Sequence, residues 1–403
     1  MTDAKPSLLS GLKVVEMSHV MAAPTCGLML ADMGANVIKV ERSPSGDDVR
    51  RNAPFNGDYS VPFAMMNRNK RSFAVNTKQA DGRAALKDLI ASADIFIENY
   101  RPGAMAHYGI GYDTMKVINP RLIYCSLSGF GSTGPYASRG GFDLVAQGMS
   151  GLMSITGEGP GRPPVKIGSP ATDISAGILA AMGILAAVNQ RHQTGEGQFV
   201  DTSLFEAGIM LTYWQSAIYF GSGKVPGAMG SAHPLMAPYQ AFETADGWIN
   251  VGAANQANWE KLTKCLEAEE LADDPRFATG NDRMANLDTL VEILTAHFKT
   301  HDNDDWLRVL EEHGIPAGPV LDIKQMSEDP QTIARDMVRE VGDESHPPTN
   351  VLGHPVKFSA STTTIQRPAP RLGQHSREVL NEIGYDEMQI AKLLEAGSIQ
   401  NPV

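Results

Sequence analysis

An aspartate precedes the most apolar stretch of the chain. Asp173 comes directly before Ile174–Val188, a run rich in alanine and glycine that predicts a buried helix. Aspartate is a favoured N-cap, and the local sequence alone favours that structural role. The position also suits chemistry, because helix amide dipoles hold a carboxylate ionised well below neutral pH. An ionised carboxylate can attack a thioester or an acyl group as a nucleophile.

A cluster of cations, here called the basic cluster, interrupts an otherwise acidic sequence. Its members are Arg42, Arg50, Arg51, Arg68, Lys70 and Arg71. Arg42 directly follows the predicted strand Asn36–Glu41, at the place where open α/β sheets bind their ligands. Guanidinium groups there can bind a polyphosphate bidentately. A solvated rim of exposed cations explains the spacing equally well, so the basic cluster is compatible with a phosphorylated ligand but does not require one.

A glycine-rich segment matches the dinucleotide-binding pattern. Gly129–Gly134 (GFGSTG) follows a predicted strand. Pro135 comes next, however, and no helix is predicted there to receive a pyrophosphate. A structural glycine turn is therefore favoured, and an NAD-dependent oxidoreductase is kept only as a distant alternative.

Other catalytic and metal-binding motifs are absent from the sequence. There is no G-x-S-x-G elbow, no phosphate-binding P-loop and no H-E-x-x-H, and the histidines lack ligand spacing, so no metal is expected. His19 follows the first predicted strand, where a ligand contact and a purely structural polar role are equally compatible with the sequence.

Strands alternate with helices through the first part of the chain, which predicts an α/β doubly wound domain with a parallel, Rossmann-like sheet. The predicted strands are Leu12–Met17, Asn36–Glu41, Asp94–Glu98 and Leu122–Leu127, and the helices include Thr25–Met33, Gln79–Ser92, Ile174–Arg191 and Thr202–Phe220.

The pattern changes after Gly221–Pro238, a glycine- and proline-rich segment predicted to be a mobile linker or lid. Tyr239–Glu243 and Trp248–Val251 flank an Asp-Gly turn and predict a hairpin, followed by helices. We therefore expect a large domain of residues 1–224 and 326–403 and a smaller α+β domain of residues 225–325. His354–Ser359 is predicted to be a strand in the returning segment.

Composition points to a cytoplasmic protein without nucleic-acid or membrane partners. The formal charge of −12 repels nucleic acid and anionic membranes. The three cysteines are far apart in sequence, as suits a reducing compartment, and the N-terminal residues lack a secretory signal. The apolar run Ile174–Val188 is too short to span a bilayer and predicts a core helix.

The chain resembles, nearly end to end, the class III CoA-transferases, the family of formyl-CoA transferase and carnitine CoA-transferase. The similar segments, in the order of the family, are Val14–Pro24, Met33–Arg42, Asn67–Ser72, Glu98–Gly103, Ile123–Pro135, Thr172–Asp173, Thr194–Asp201, Ala237–Ile249, Ile315–Val320 and Leu372–His375. This resemblance implies that Asp173 is the nucleophile and forms a covalent aspartyl-CoA thioester. Coenzyme A is then a substrate, and no permanently bound cofactor, ATP or metal is needed.

The resemblance also implies positions for the ligand and the partner. Family CoA contacts fall on His19, Ala22, Arg42, Lys70, Asn99 and Tyr100. The loop Gly227–His233 resembles the one that covers the active site, with Gly230 as its hinge. Family members form homodimers in which two ring-shaped subunits interlock, with both chain ends in the large domain. Three departures from the family pattern, Met21, Ala23 and His107, put individual contacts in doubt.

A sister branch of the family racemises 2-methylacyl-CoA with a histidine that precedes the aspartate of the segment Gly140–Asp143. This chain has Phe142 there, and phenylalanine cannot transfer a proton, so the racemase is the weaker alternative. Asp143 remains as an orienting carboxylate. The segment Gly230–Phe242 most resembles the branch that handles dicarboxylic acids, such as succinyl-CoA:glutarate transferases.

Overall fold

The computed structural model describes residues 7–402. These residues fold into two compact units. The first takes residues 7–152, Ile167–Thr212 and residues 330–402, and the second takes Met153–Lys166 and Tyr213–Asp329. The predicted large domain therefore extended too far. Three of the segments that it included, residues 153–166, 213–224 and 326–329, belong to the second unit.

The elements are numbered along the chain. The strands are β1 (Lys13–Met17), β2 (Asn36–Arg42), β3 (Phe55–Asn56), β4 (Tyr59–Ser60), β5 (Arg71–Val75), β6 (Ile95–Glu98), β7 (Ile123–Ser128), β8 (Phe199–Ser203), β9 (Tyr239–Glu243), β10 (Trp248–Gly252), β11 (Ala317–Pro319), β12 (Val338–Asp343) and β13 (His346–Leu352). The helices are α1 (Ala22–Asp32), α2 (Val61–Asn67), α3 (Ala80–Ala91), α4 (Ala104–His107), α5 (Tyr112–Ile118), α6 (Asp143–Met149), α7 (Leu152–Ile155), α8 (Ala171–Thr194), α9 (Leu204–Met210), α10 (Tyr213–Ser222), α11 (Gln256–Cys265), α12 (Glu270–Asp273), α13 (Gly280–Ala285), α14 (Leu287–Phe298), α15 (Asn303–Glu312), α16 (Ile323–Glu328), α17 (Pro330–Ala334), α18 (Ser376–Glu382) and α19 (Glu387–Glu395), with a 3₁₀-helix at Asp48–Arg51.

A parallel sheet forms the framework of the first unit. Its strands run in the order β5-β2-β1-β6-β7-β8, and every neighbouring pair is parallel. The direction of winding reverses between β1 and β6. In open α/β sheets such a reversal leaves a crevice at the carboxyl ends of the strands, and ligands bind there. The predicted parallel α/β sheet is confirmed.

Alternate residues of the strands point to opposite sides of this sheet. Val14 belongs to a core that also contains Ala180 of α8, whereas Val15 belongs to a second core that contains Leu89 of α3. Helices therefore cover both faces, as a doubly wound sheet requires, and the strands are buried from both sides.

Two strands of the sheet, β5 and β8, were missed. The sequence RSFAV of β5 starts with a charged residue and lacks a continuous apolar run. The prediction of one helix over Thr202–Phe220 was wrong, because the structure has two: α9 begins at Leu204 and ends at Met210, and α10 begins at Tyr213. The β-branched segment FVDTS pairs with β7 as β8, and the Ser203 side chain then caps α9 by accepting from the Glu206 N–H. The predicted strand His354–Ser359 is also absent, because strand pairing ends with β13 at Leu352.

Helix α8 is longer than predicted and packs closely on α1. It contains 24 residues, so length and hydropathy alone would allow it to cross a membrane, and the argument that it is too short was wrong. Gly177 makes the close packing possible: a Cβ atom there would lie 2.5 Å from the Ala22 carbonyl oxygen and 2.7 Å from the Thr25 Cβ. The apolar face of α8 is thus used in the core of the first unit.

The second unit contains the predicted hairpin. Strands β9 and β10 pair antiparallel, and β11 joins the other edge of β10. Helices α11, α14 and α15 contribute Trp259, Phe298 and Trp306 to a core that includes Phe242 of β9. This unit therefore has a hydrophobic core of its own.

Replacing Gly177 by alanine tests the close packing of α8 on α1. We expect Gly177→Ala to lower the free energy of unfolding by about 1–3 kcal/mol, because backbone atoms of α1 must move. Gly221→Ala in α10 is the control, since a Cβ there meets nothing within 4 Å. Urea unfolding measures both variants. Equal stability of the two would contradict the packing argument.

Candidate active site

Asp173 lies in the first turn of α8 and does not cap it. The helix starts at Ala171 after Pro170, which makes no side-chain cap, so the prediction that Asp173 is the N-cap was wrong. The expected low pKa was also wrong. Burial, and secondly the neighbouring charge of Asp143, raise the pKa of Asp173 to about 6. At neutral pH the carboxylate is still about nine-tenths ionised.

Asp143 supplies the missing cap from another helix. Its Oδ1 accepts from the backbone N–H of Thr172 at 3.0 Å and from the Thr172 hydroxyl at 2.8 Å. Its Oδ2 accepts from the Gln147 amide at 2.7 Å. Asp143 is the first residue of α6, so these bonds fix the start of α8 against the start of α6. The orienting role expected of Asp143 therefore has a structural basis.

Asp173 faces a cavity of about 460 Å³ at the carboxyl ends of the parallel strands. Three loops, which follow β1, β6 and β7, supply most of its wall. The other lining residues are His19–Ala22, Asn99–Pro102, Ala104, Leu127–Gly129, Arg139–Phe142 and Leu204. Four of the six predicted CoA contacts, His19, Ala22, Asn99 and Tyr100, are thus brought together with Asp173.

The side chain of Asn99 joins the loops on either side of the switch point. Its Oδ1 accepts from the His19 N–H at 3.1 Å, and its Nδ2 donates to the His19 carbonyl at 2.9 Å. The next residue, Val20, has a φ of +63°, which is rare for a β-branched side chain. Its N–H donates to Asp47 Oδ1 at 3.3 Å. Asn99 and Asp47 therefore hold a strained turn at the edge of the cavity.

His19 and Tyr100 also border a smaller cavity of about 80 Å³ that includes Arg42. The rings of His19 and Tyr100 meet edge to face, with centroids 5.0 Å apart. Burial lowers the pKa of His19, which favours the neutral imidazole. Arg42 is largely exposed and pairs with Asp48 at 3.2 Å. Among the members of the basic cluster, Arg42 is the one that lines this smaller cavity.

Most other members of the basic cluster are engaged in the fold. The Lys70 ammonium is fully buried and lies 2.7 Å from Glu16 Oε2. Arg68 pairs with Asp32, and Arg71 with Glu378 and Glu382. The structure therefore does not bring Lys70 to the cavity, and neither a rim of solvated cations nor a continuous phosphate site describes the cluster.

Two arginines of the wall, Arg101 and Arg139, were missed by the sequence analysis. Arg101 lies three residues beyond β6, and Arg139 lies four residues before Asp143. Arg101 lies inside the recognised segment Glu98–Gly103, and Arg139 directly precedes the recognised segment Gly140–Asp143, so their positions were a usable signal.

Gly230, the predicted hinge, belongs to the second unit and has a φ of +61°. Its N–H donates to the Gly157 carbonyl at 2.8 Å, and its role as a hinge stays a prediction. Met21 lines the cavity, Ala23 is buried in α1, and His107 is exposed at the end of α4.

The glycine-rich segment forms a turn and does not lead into a helix. After β7, Gly131 and Gly134 adopt φ values of +89° and +85°, and the following helix α6 begins only at Asp143. The N-terminal amides of a helix are therefore not available next to this turn to hold a pyrophosphate. Among residues 7–402, no group of three or more histidine, cysteine or acidic side chains is placed to hold a metal ion.

The effect of Asp143 on the pKa of Asp173 can be measured directly. We expect Asp143→Asn to lower the pKa of Asp173 below about 6, although burial, the larger cause, keeps it above its ordinary value. Carbon-13 NMR of labelled aspartate carboxyls reports this pKa, with the resonance assigned by its loss in Asp173→Asn. Asp81→Asn, at an exposed position in the first turn of α3, is the control. An unchanged pKa in Asp143→Asn would show that burial acts alone.

Comparison with known proteins places the site in a family. Residues 9–376 match CoA-transferase family III. Succinyl-CoA:glutarate CoA-transferase of Homo sapiens is 38% identical over 401 residues, which cover 99% of this chain and 91% of that protein. Succinate–glutarate CoA-transferase of Agrobacterium fabrum is 38% identical, with 95% and 97% of the two chains covered.

A solved structure agrees with the same assignment. The crystal structure of a CAIB/BAIF family protein from Brucella suis has a TM-score of 0.84 and 39% identity, and the match covers 94% of this chain and 100% of that one. These relatives favour neither the racemase nor the oxidoreductase alternative. The chain belongs to CoA-transferase family III and is a CoA-transferase.

Proposed function

We propose that this enzyme transfers CoA between carboxylic acids through a thioester on Asp173. The observation that carries the proposal is the position of this carboxylate: half-buried, with a pKa of about 6, in a cavity at the carboxyl ends of the strands. Desolvation makes the carboxylate more basic and therefore more nucleophilic, while it stays ionised near neutral pH.

The first half of the proposed reaction loads CoA on the enzyme. A carboxylate oxygen of Asp173 attacks the thioester carbonyl of the donor, and the C–S bond breaks. CoA is released as the thiolate, and Asp173 and the donor acyl group form a mixed anhydride. The thiolate then attacks the aspartyl carbonyl. The anhydride C–O bond breaks, the donor acid is released, and Asp173 carries CoA as a thioester.

The second half repeats these steps in reverse. The acceptor carboxylate attacks the aspartyl thioester, CoA thiolate leaves, and a new mixed anhydride forms. The thiolate attacks the acceptor's acyl carbon, which releases the new acyl-CoA and regenerates the Asp173 carboxylate. One thioester replaces another, so no external energy source is needed.

The CoA contacts that we propose are His19, Ala22, Arg42 and Tyr100, with Asn99 acting mainly through the His19 turn. Arg42 suits the phosphate groups because its guanidinium is exposed at the edge of the smaller cavity. Lys70 is not proposed as a contact, because its ammonium is buried in an ion pair with Glu16.

We propose dicarboxylic acids as substrates, with succinyl-CoA as a donor. The names of the human and Agrobacterium relatives, which act on succinate and glutarate, support this choice. A panel of acceptors with succinyl-CoA as donor distinguishes this choice from oxalate or carnitine as the sole acceptor.

We also propose that the enzyme works as an interlocked homodimer in the cytoplasm, without nucleic-acid or membrane partners. Apolar side chains remain exposed on α8, where Ile178 is 50% and Met182 61% accessible, as expected of a surface that a second subunit covers. The cysteines Cys26, Cys125 and Cys265 are unpaired, which suits a reducing compartment.

Intact-mass analysis tests the covalent step. After mixing with succinyl-CoA or acetyl-CoA, we expect the wild-type enzyme and the control Asp81→Asn to gain the mass of CoA, because both retain the nucleophile. Asp173→Ala must show no gain, and hydroxylamine must remove the adduct from the wild type. If no acyl-CoA gave an adduct in the wild type, covalent transfer would be abandoned and α-proton exchange measured instead.

The pKa of Asp173 predicts the pH dependence of loading. Only the ionised carboxylate attacks, so the second-order rate constant of adduct formation falls about tenfold per pH unit below pH 6 and levels off above it. Acetyl-CoA is the suitable donor because its acyl group does not titrate. In Asp143→Asn the acidic limb shifts to lower pH. If the acidic limb stays at the same pH in Asp143→Asn, it does not report the ionisation of Asp173.

A further inference from the structure

Two guanidinium groups on the wall of the Asp173 cavity have no counter-ion. Within residues 7–402, neither Arg101 nor Arg139 forms an ion pair or a side-chain hydrogen bond, although both line the cavity. Other arginines of the same unit, such as Arg50 and Arg71, are paired with glutamates. In a chain with a formal charge of −12, unpaired cations on the wall of the cavity that contains the nucleophile indicate an anionic ligand group.

The side chain of Arg139 is held in place before any ligand binds. Its guanidinium stacks on the ring of Tyr136, with its central carbon 4.0 Å from the ring centroid. The backbone N–H of Arg139 donates to the Tyr136 carbonyl at 2.9 Å, which fixes the main chain at this position. A guanidinium that stacks through its face keeps the N–H donors at its edge available. These donors match the geometry of a carboxylate.

The backbone around Arg139 is fixed relative to Asp173. Gly141 packs against Gly129 at the end of β7, so closely that a Cβ on Gly141 would lie 2.4 Å from the Gly129 Cα. Two residues later, Asp143 holds Thr172, the neighbour of Asp173. The loop thus connects the arginine to the nucleophile through a short, anchored segment.

The charges of the cavity require a cation for a dicarboxylic substrate. Asp173 is ionised near neutral pH and Asp143 lies beside it. A dicarboxylic acid brings a second carboxylate that takes no part in the reaction, and this group would be repelled unless a positive charge faces it. Building on the proposed transferase function, we infer that Arg139 binds the distal carboxylate of the acyl group, with Arg101 as a second cation, and thereby selects dicarboxylic acids.

The CoA phosphates are a second source of negative charge, for which Arg42 is the proposed cation. Arg42 borders the smaller cavity, which Arg139 does not line. The long pantetheine arm separates the phosphates of CoA from its thioester. The reacting thioester must lie in the cavity that contains Asp173, and a cation on the wall of that cavity is suited to the acyl group attached to it.

The test compares succinyl-CoA with butyryl-CoA, which has the same acyl chain length but ends in a methyl group. Loading of Asp173 is followed by mass for wild type, Arg139→Gln and Arg139→Lys. We expect Arg139→Gln to lower the second-order rate constant of loading by succinyl-CoA roughly 10- to 100-fold. The rate constant for butyryl-CoA should change less than about twofold. Arg139→Lys keeps the charge but loses the two parallel N–H donors of the guanidinium, so its rate constant for succinyl-CoA should lie between those of wild type and Arg139→Gln. Arg335→Gln, an exposed arginine that does not line the cavity, is the control.

Two results would overturn the inference. If Arg139→Gln lowered the loading rate constants of both thioesters equally, Arg139 would be assigned to the CoA moiety. If the wild type loaded butyryl-CoA as fast as succinyl-CoA, there would be no selectivity for Arg139 to explain. If Arg139→Gln fails to fold, as its melting temperature would show, Arg139→Lys and the wild-type preference decide. Failure of the proposed function looks different, because wild type would then form an adduct with neither ester.

Discussion

A buried network of charges beneath the carboxyl edge of the sheet holds the turn on which the site depends. The ammonium of Lys39 on β2 is fully buried and lies 2.9 Å from Asp47 Oδ2 and 3.3 Å from Glu16 on β1. Asp47 uses its other oxygen to accept from the Val20 N–H. Removing one charge would leave its partner buried and uncompensated, which costs far more than the pair contributes as a whole. The network thus specifies where the turn after β1 lies more than it stabilises the fold.

Helix α8 joins this turn to the nucleophile. Gly177 follows Asp173 by four residues, so both lie on one face of the helix. The close contact of Gly177 with Ala22 and Thr25 directs that face toward the start of α1. Asp173 is thereby placed beside the turn that Asn99 and Asp47 hold. The close packing at Gly177 therefore fixes the helix that carries Asp173 against the start of α1, whose first residue, Ala22, also lines the cavity.

The sequence predicted those parts of the fold that depend on local pattern. Strand β1, with Val14 and Val15 buried on opposite faces, is recognisable from its apolar run. Strand β5 is not, because its first residue, Arg71, is neutralised by Glu378 and Glu382 from the far end of the chain. Local patterns contain no information about such distant partners.

The site was predictable to a similar extent. Asp173 could be identified through the resemblance to a family, since its local sequence favoured a cap. Lys70 looked like an exposed cation, but Glu16 from β1 pairs with it in the interior. Arg139 gave no signal of its own, because its importance comes from the cavity that the loop after β7 helps to form. Burial and pairing, which decide the role of a charged residue, are properties of the folded chain.

The raised pKa of Asp173 has two physical causes. Burial is the larger one, and the charge of Asp143 adds to it. In the proposed exchange the same group must be nucleophile in the first step and leaving group in the last. Substrate carboxylic acids ionise near the ordinary range of Asp and Glu side chains. A pKa of about 6 therefore makes Asp173 slightly more basic than the acids it exchanges, which favours attack on the donor without making the aspartyl group so basic that it cannot leave. By this reasoning, the desolvation that raises the pKa of Asp173 is what allows one carboxylate to serve both halves of the reaction.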